Sequence, residues 1–172
     1  MKKNRKYNFY VIGLVYAISQ VILGLVTTTS LILSNGVNDL SDYLSFFTAR
    51  KREGAYRHYK RKILTIGHLF VTFFALKNIY TKSYPSYKIL VYVNILGPLI
   101  NLFLVYLVHK SQDEKEQELN IFILEKIANQ IVSLVISLVL LIFAGPIWDS
   151  SISLFISAII LINIIFRSKD GF

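Results

Sequence analysis

Ser34 to Asp42 read S-N-G-V-N-D-L-S-D, and this polar stretch interrupts sequence that is otherwise apolar. A second polar stretch, E-K-I-A-N-Q, runs from Glu125 to Gln130 in similar surroundings. Carboxylates and carboxamides are costly inside a lipid bilayer, and where they occur they commonly mark a functional site. The two stretches therefore indicate where in the chain a function would be located.

The composition indicates an integral membrane protein. Of the 172 residues, 54% are hydrophobic and 17% are charged, whereas a soluble domain carries about 25% charged residues. The net charge of +9 comes from short basic blocks between apolar runs, which is typical of topology signals, so nucleic acid is not an expected partner. The chain has no cysteine, which excludes disulfides and thiolate metal sites.

Six apolar runs are long enough to be transmembrane helices, which need about 20 residues each. Their approximate bounds are 7–29, 31–49, 63–80, 89–109, 119–143 and 147–166. The first run is too long for a signal-peptide core and lacks a cleavage site, so we expect it to remain as a helix. The prediction for residues 1–172 is thus an all-α integral membrane protein with one six-helix transmembrane domain and no soluble domain.

The distribution of basic residues predicts that both termini are cytoplasmic. In that orientation the cytoplasmic segments hold 15 Lys or Arg residues, seven of them between Arg50 and Lys62. The outer segments hold three, and this asymmetry follows the positive-inside rule. The expected location is the bacterial plasma membrane, with the lipid bilayer itself as a partner.

Polar residues form stripes on the second and fifth predicted helices. On the second helix the polar residues are three, four and three positions apart, so they lie on one face of the helix: Asn35, Asn38, Asp42 and Ser45. On the fifth helix a four-residue spacing gives a stripe that rotates slowly through Glu125, Asn129, Ser133 and Ser137.

Burial of the two stripes against each other would bring four oxygen-bearing side chains together. These candidate metal-binding residues are Asn38, Asp42, Glu125 and Asn129. Two of the four are potentially anionic, and oxygen ligands of this charge suit Mn²⁺, Mg²⁺ or Fe²⁺ better than Zn²⁺. The sequence therefore predicts a site for a hard divalent cation.

Several motifs occur in the order of a known family. Within Ser30 to Asp42, S-L-I-L-S-N-G-V-N-D-L-S-D, the twelve residues that end at Asp42 are similar to the pattern S-L-L-A-D-A-x-H-S-L-S-D, and Glu125 to Ser133 lies where that family has H-x-x-x-D-A-L-x-S. Tyr56 to Leu64 is similar to the loop after the family's second helix, often F-G-x-G-K-x-E-x-L, although Lys62 stands where that loop has an acid. Asn101 falls where the fourth helix often has an asparagine, and W-D-S-S-I-S from Trp148 resembles the start of the sixth. In these stretches the chain resembles the membrane domain of the cation diffusion facilitator family, which comprises dimeric metal efflux transporters that commonly exchange metal for protons.

The resemblance implies a bundle like that of the family and a transport site at Asn38, Asp42, Glu125 and Asn129. The family usually has His or Asp, Asp, His or Asp, and Asp at these positions, so only Asp42 is unchanged. The cytoplasmic metal-sensing domain that usually follows the sixth helix is not found in these 172 residues. The resemblance also implies a dimer, either with a second copy or with another membrane protein.

Two functions are compatible with these observations. The first is a secondary transporter that exports a divalent cation in exchange for protons, which two neighbouring carboxylates can take up without a histidine. The second is a transport-inactive relative that acts as a partner subunit or accessory protein, in which the stripes are interhelical hydrogen bonds. An enzyme is not expected, because the chain has no nucleophile elbow, phosphate loop or H-E-x-x-H pair. No resident cofactor is expected, and the metal would be the transported substrate.

Other polar residues have structural interpretations beside functional ones. His68 shares a face of the third helix with Thr65 and Thr72, which is typical of a helix-packing histidine, while a place on a proton path is the alternative. Asn94 and Asn101 share a face of the fourth helix, where the intervening Gly97-Pro98 pair predicts a kink.

Overall fold

The computed structural model describes the backbone of residues 2–49, 53–109, 115–143, 145 and 147–167. Within them, side chains are described for residues 11–45, 58–103, 105–106, 123–143, 145 and 147–166. The described backbone forms six α-helices and no strand, which confirms the predicted all-helical class. The helices are α1 (Lys2–Val26), α2 (Ser30–Ala49), α3 (Glu53–Tyr80), α4 (Tyr87–His109), α5 (Lys115–Ile142) and α6 (Trp148–Arg167).

The third helix differs most from its predicted bounds, since it begins at Glu53 rather than near residue 63. Its additional ten residues are mostly basic or aromatic and contain no proline. Lysine and arginine favour helix almost as strongly as leucine does, so a basic segment that was predicted as a loop continues as helix.

Among the residues whose side chains are described, three helical segments are long and apolar enough to cross a membrane. They are His58–Tyr80, Ile123–Ile142 and Trp148–Phe166. Val11–Val26 and Tyr87–Phe103 are also apolar but shorter, when only the described side chains are counted. The three longer segments expose large apolar side chains such as Phe73, Val135 and Phe155, each more than half exposed. Helices that face lipid are expected to have such a surface.

The chain divides into two compact units. One comprises Met1–Ile12 and Tyr87–Ala144, and in it α4 packs against α5. The other comprises Gly13–Ser86 and Gly145–Phe172, and we call it the α2 unit. In the α2 unit, α2 packs against both α3 and α6, and α3 packs against α6.

Helix α2 is the central helix of its unit. Every side chain from Ser30 to Ser45 is buried or half-buried, although this segment contains serines, asparagines and two aspartates. Leu31, Ile32 and Leu33 have no more than 1% of their surface exposed. Polar groups in an enclosed helix are costly unless they have hydrogen-bond partners, and for α2 the neighbouring helices supply several of these partners.

The part of α1 that follows Gly13 approaches α2 closely at two glycines. A Cβ atom added to Gly24 would lie 2.6 Å from the backbone nitrogen of Leu33 and 2.8 Å from its Cα. A Cβ atom added to Gly36 would lie 2.8 Å from the backbone nitrogen of Val21. The two helices are therefore in backbone contact, the kind of packing that small residues permit between membrane helices.

Three threonines connect α1 to α2, and the middle one, Thr28, has the left-handed φ of 52°. The amide of Thr29 donates to the carbonyl of Gly24 at 2.9 Å and so ends α1. At such helix ends the residue with the left-handed φ is usually a glycine. A β-branched residue rarely adopts this conformation. Thr28 is held by two contacts, since its carbonyl accepts from Asn78 Nδ2 at 2.9 Å and its hydroxyl donates to the Tyr84 carbonyl at 3.2 Å.

Gly24→Ala is expected to lower the free energy of unfolding by about 1–3 kcal/mol, because the added methyl group overlaps the backbone of α2 at Leu33. Helix propensity alone predicts the opposite sign, since alanine is favoured over glycine inside a helix by about 1 kcal/mol. Equilibrium unfolding of the purified protein in detergent measures the difference. Ser19→Ala, at an exposed position of α1, is the control and should have little effect. Unchanged or increased stability of Gly24→Ala would contradict the close approach of the two helices.

Candidate cation site

Asn38 and Asp42 lie one turn apart on the side of α2 that meets α3. Asn38 Oδ1 is 2.9 Å from His68 Nε2, and Asp42 Oδ1 is 2.6 Å from Lys60 Nζ. Both contacts join α2 to α3 within the α2 unit. The predicted polar stripe on α2 is therefore a line of polar contacts that runs from the buried His68 towards the partly exposed Lys60.

His68 is fully buried and connects three helices. Because Asn38 Oδ1 can only accept, His68 Nε2 carries the hydrogen of that bond. The other ring nitrogen, Nδ1, lies 3.0 Å from Ser157 Oγ on α6 and accepts from that hydroxyl in the neutral ring. His68 thus fixes the orientation of the Asn38 carboxamide and holds α2 and α6 to the same face of α3.

Asp42 has a cationic neighbour. Its side chain is 16% exposed and that of Lys60 is 36% exposed, so the pair lies where the interior of the unit opens. The ammonium nitrogen of Lys60 lies 2.6 Å from Asp42 Oδ1, so the two side chains form an ion pair.

The other two predicted ligands are placed differently. Glu125 and Asn129 are exposed on α5, whereas Lys126 and Gln130, each one position further along the chain, are buried. A four-residue spacing advances around a helix by about 40° per step, so from Glu125 to Ser137 the stripe turns by about 120°. Only its far end, at Ser137, is fully buried. The burial of the whole stripe against α2 stays a prediction.

The four predicted ligands are divided between the two units. Asn38 and Asp42 belong to the α2 unit, while Glu125 and Asn129 belong to the unit of α4 and α5. Neither unit holds the complete set, and the four-residue site stays a prediction. Among the residues whose side chains are described, no three His, Asp or Glu side chains are grouped closely enough to hold a metal ion.

The face of α4 that carries Asn94 and Asn101 packs against α5. Asn94 Nδ2 donates to the carbonyl of Ser133 at 3.2 Å, and Asn101 Nδ2 donates to Gln130 Oε1 at 2.8 Å. Gln130 Nε2 is buried and has no hydrogen-bond acceptor among the described residues. The shared face predicted for these two asparagines is confirmed, and its contacts are interhelical hydrogen bonds.

A second buried group of polar side chains closes the end of the α2 unit where α2 begins. The carboxylate of Asp149 on α6 accepts from the backbone N–H groups of Ser30 at 2.6 Å and of Leu31 at 3.1 Å. These are first-turn amides of α2, which have no acceptor within their own helix. A carboxylate at a helix N-terminus also interacts favourably with the helix dipole.

Further hydrogen bonds join the same ends of the helices. Ser30 Oγ is 3.2 Å from Ser150 Oγ, and Ser153 Oγ donates to the Ser30 carbonyl at 3.0 Å. Asn78 Nδ2, near the end of α3, donates to Ser30 Oγ at 3.1 Å. We call Ser30, Asn78, Asp149, Ser150 and Ser153 the capping cluster. It fixes where α2 starts, and hence the heights at which Asn38 and Asp42 lie.

The capping cluster was not predicted as a contact, although both of its main segments were singled out as motifs. Ser30 begins the first motif, and Trp148 to Ser153 form the last. An aspartate one residue into an apolar helix was the available signal, because such a residue is well suited to cap another helix. Lys60 was assigned to a basic loop, so its pairing with Asp42 was not anticipated either.

Comparison with known proteins adds no family. No protein-family model matches the chain, and no curated protein matches it. The resemblance to the cation diffusion facilitators therefore rests on the motifs quoted above.

Asp149→Ala is expected to destabilise the protein by about 1–3 kcal/mol, because two buried N–H groups of α2 lose their acceptor. Asp149→Asn keeps one acceptor oxygen and should lose less. Unfolding in detergent measures both variants, and Ser151→Ala, at a half-buried position on the same turn of α6, is the control. Equal stability of Asp149→Ala and Ser151→Ala would show that the carboxylate does not cap α2.

Proposed function

We propose that the protein is a secondary transporter of a hard divalent cation, with Mn²⁺, Fe²⁺ or Mg²⁺ favoured over Zn²⁺. The observation that carries this proposal is Asp42, a carboxylate that is 16% exposed within an enclosed helix and is paired with a cation from a neighbouring helix. Ionisable side chains inside membrane proteins commonly mark ion pathways, and a partly desolvated carboxylate attracts cations. Its position within a motif similar to that of the cation diffusion facilitators supports the same function.

In this proposal the six helices all cross the plasma membrane and both termini are cytoplasmic. The basic segment from Arg50 to Lys62 then lies on the cytoplasmic side, where anionic lipid attracts it. Export would start from that side, at the end of the α2 unit where Lys60 and Asp42 meet. Transport would be driven by an ion gradient, since the sequence has no nucleotide-binding motif.

The residues of the α2 unit have distinct roles in this proposal. Asp42 supplies the negative charge that binds the cation, and the Asn38 carbonyl oxygen is a neutral second ligand. His68 positions Asn38 through the 2.9 Å contact and is not itself a ligand. Glu125 and Asn129 would complete the site, and a proton taken up by either carboxylate would favour release of the metal. Since Glu125 and Asn129 are exposed, a second copy or a partner subunit is part of the proposal.

The second candidate is a transport-inactive membrane protein that serves as a partner or accessory subunit. It is favoured by one specific observation, the exposure of Glu125 and Asn129 beside apolar side chains such as Leu124 and Val132. Polar groups on a lipid-facing surface are stabilised when another membrane helix covers them. On this hypothesis the face binds a different protein, which cross-linking and pull-down from native membranes would recover. Recovery of the homodimer or monomer alone would count against it.

Purified protein in proteoliposomes is expected to give metal-dependent proton flux with Mn²⁺ and with Fe²⁺ or Mg²⁺. Asp42→Asn should reduce the flux by about tenfold or more, because it removes the charge that binds the cation. Glu125→Gln should reduce it as well if the predicted four-residue site is complete in the assembled protein. Asp170→Asn removes a carboxylate from the sequence after the last helix and is the matched control.

Absence of flux with any of these metals and with Zn²⁺, from protein that remains folded after reconstitution, would exclude the transporter. Full activity of Asp42→Asn would exclude Asp42 as the binding residue.

A further inference from the structure

The pair formed by Lys60 and Asp42 brings a charged group from a basic segment to the polar line on α2. Lys60 lies in the first half of α3, next to Arg61 and Lys62, whose side chains are exposed. Lys60 instead extends towards α2, and its Nζ atom is 2.6 Å from Asp42 Oδ1. One basic residue of this segment is thus engaged with the carboxylate on which the proposed function depends.

An ammonium group and a metal ion cannot occupy the same carboxylate oxygen. A divalent cation binds carboxylate oxygens at about 2.0–2.6 Å, and the ammonium nitrogen, 2.6 Å from Asp42 Oδ1, lies within the space that the ion would need. Binding of the metal at Asp42 Oδ1 therefore requires the Lys60 side chain to move away. With 36% of that side chain exposed, Lys60 has a solvated position to which its ammonium can return.

We propose that Lys60 is a tethered competitor for the cation site, one that sets both the affinity for metal and the preference for divalent ions. This inference rests on the proposed function and deepens it. In the unloaded protein the ammonium neutralises Asp42. A divalent ion gains more Coulomb energy at Asp42 than the ammonium that it displaces, whereas a monovalent ion has no such advantage. Lys60 thereby excludes Na⁺ and K⁺ from a site whose ligands are oxygen atoms.

Lys60→Gln tests the proposal. Lys62→Gln is the matched control, because it removes a charge of the same kind from an exposed side chain two residues along α3. Binding of Mn²⁺ to the full-length protein in nanodiscs is followed by electron paramagnetic resonance of free Mn²⁺, with and without 100-fold excess Na⁺. Lys60→Gln is expected to lower the Kd for Mn²⁺ by roughly three- to tenfold, the range of a partly screened ion pair. Na⁺ should compete with Mn²⁺ in this variant and not in the wild type or in Lys62→Gln.

Lys60→Arg keeps the charge and serves if Lys60→Gln does not fold. Its Kd for Mn²⁺ should be equal to or higher than that of the wild type. The proposal is overturned if Lys60→Gln binds Mn²⁺ no more tightly than the wild type, or if Lys62→Gln has the same effect as Lys60→Gln. It is also overturned if Lys60→Arg binds Mn²⁺ more tightly than the wild type.

The two proposals fail in different ways. If Lys60→Gln binds Mn²⁺ through Asp42 more tightly than the wild type does, but the wild type shows no flux, the role of Lys60 as a competitor is kept and transport is excluded. If the wild type shows flux, and Lys60→Gln changes neither the Kd for Mn²⁺ nor the competition by Na⁺, the protein is a transporter and Lys60 is not a competitor. No binding by either protein would overturn both.

Discussion

The polarity of α2 constrains the rest of the α2 unit. Between Ser30 and Ser45 this helix carries hydroxyl, carboxamide and carboxylate groups in a buried or half-buried setting, so neighbouring helices have to supply partners for them. Glycines let α1 come into backbone contact, His68 and Lys60 reach it from α3, and Asp149 caps it from α6. Enclosure also keeps Asp42 partly desolvated, which gives its charge a strong influence on any cation nearby.

Both α2 residues of the predicted cation site are engaged with α3. Within the α2 unit one carboxylate and one carboxamide lie side by side, and both already have a partner from α3. The carboxylate predicted to complete the site, Glu125, is exposed on the other unit. In the proposed transporter the metal would displace Lys60 from Asp42 and would also bind further oxygen ligands. A structural subunit would keep the present contacts and use the exposed face of α5 for its partner.

The sequence predicted the helices and the α2 stripe because both follow from local periodicity. The length of each apolar run predicts a helix. The four-residue spacing places Asn38 and Asp42 on the same side of α2. On α5 the sequence specifies the face less well, because a four-residue spacing drifts around the helix and leaves Glu125 and Lys126 equally compatible with an inward position. The capping of α2 by Asp149 joins residues 119 apart in sequence, and no local pattern specifies such a partner. The pairing of Lys60 depended on α3 starting at Glu53, within a segment that composition alone assigns to a loop.

Helix α2 is held inside its unit, and its start is fixed against α6. A disulfide between these two helices tests this most directly. The chain has no native cysteine, so a pair can be introduced without removing any. Ser30 Oγ and Ser150 Oγ are 3.2 Å apart, so two cysteine sulfur atoms at these positions need only a small shift to reach the disulfide length of about 2.05 Å. Ser30→Cys with Ser150→Cys should therefore cross-link rapidly under mild oxidation in native membranes. Ser30→Cys with Ser151→Cys, whose second position lies about 100° further around α6, should cross-link slowly or not at all. Equal rates for the two pairs, or no cross-link in the first, would contradict the account.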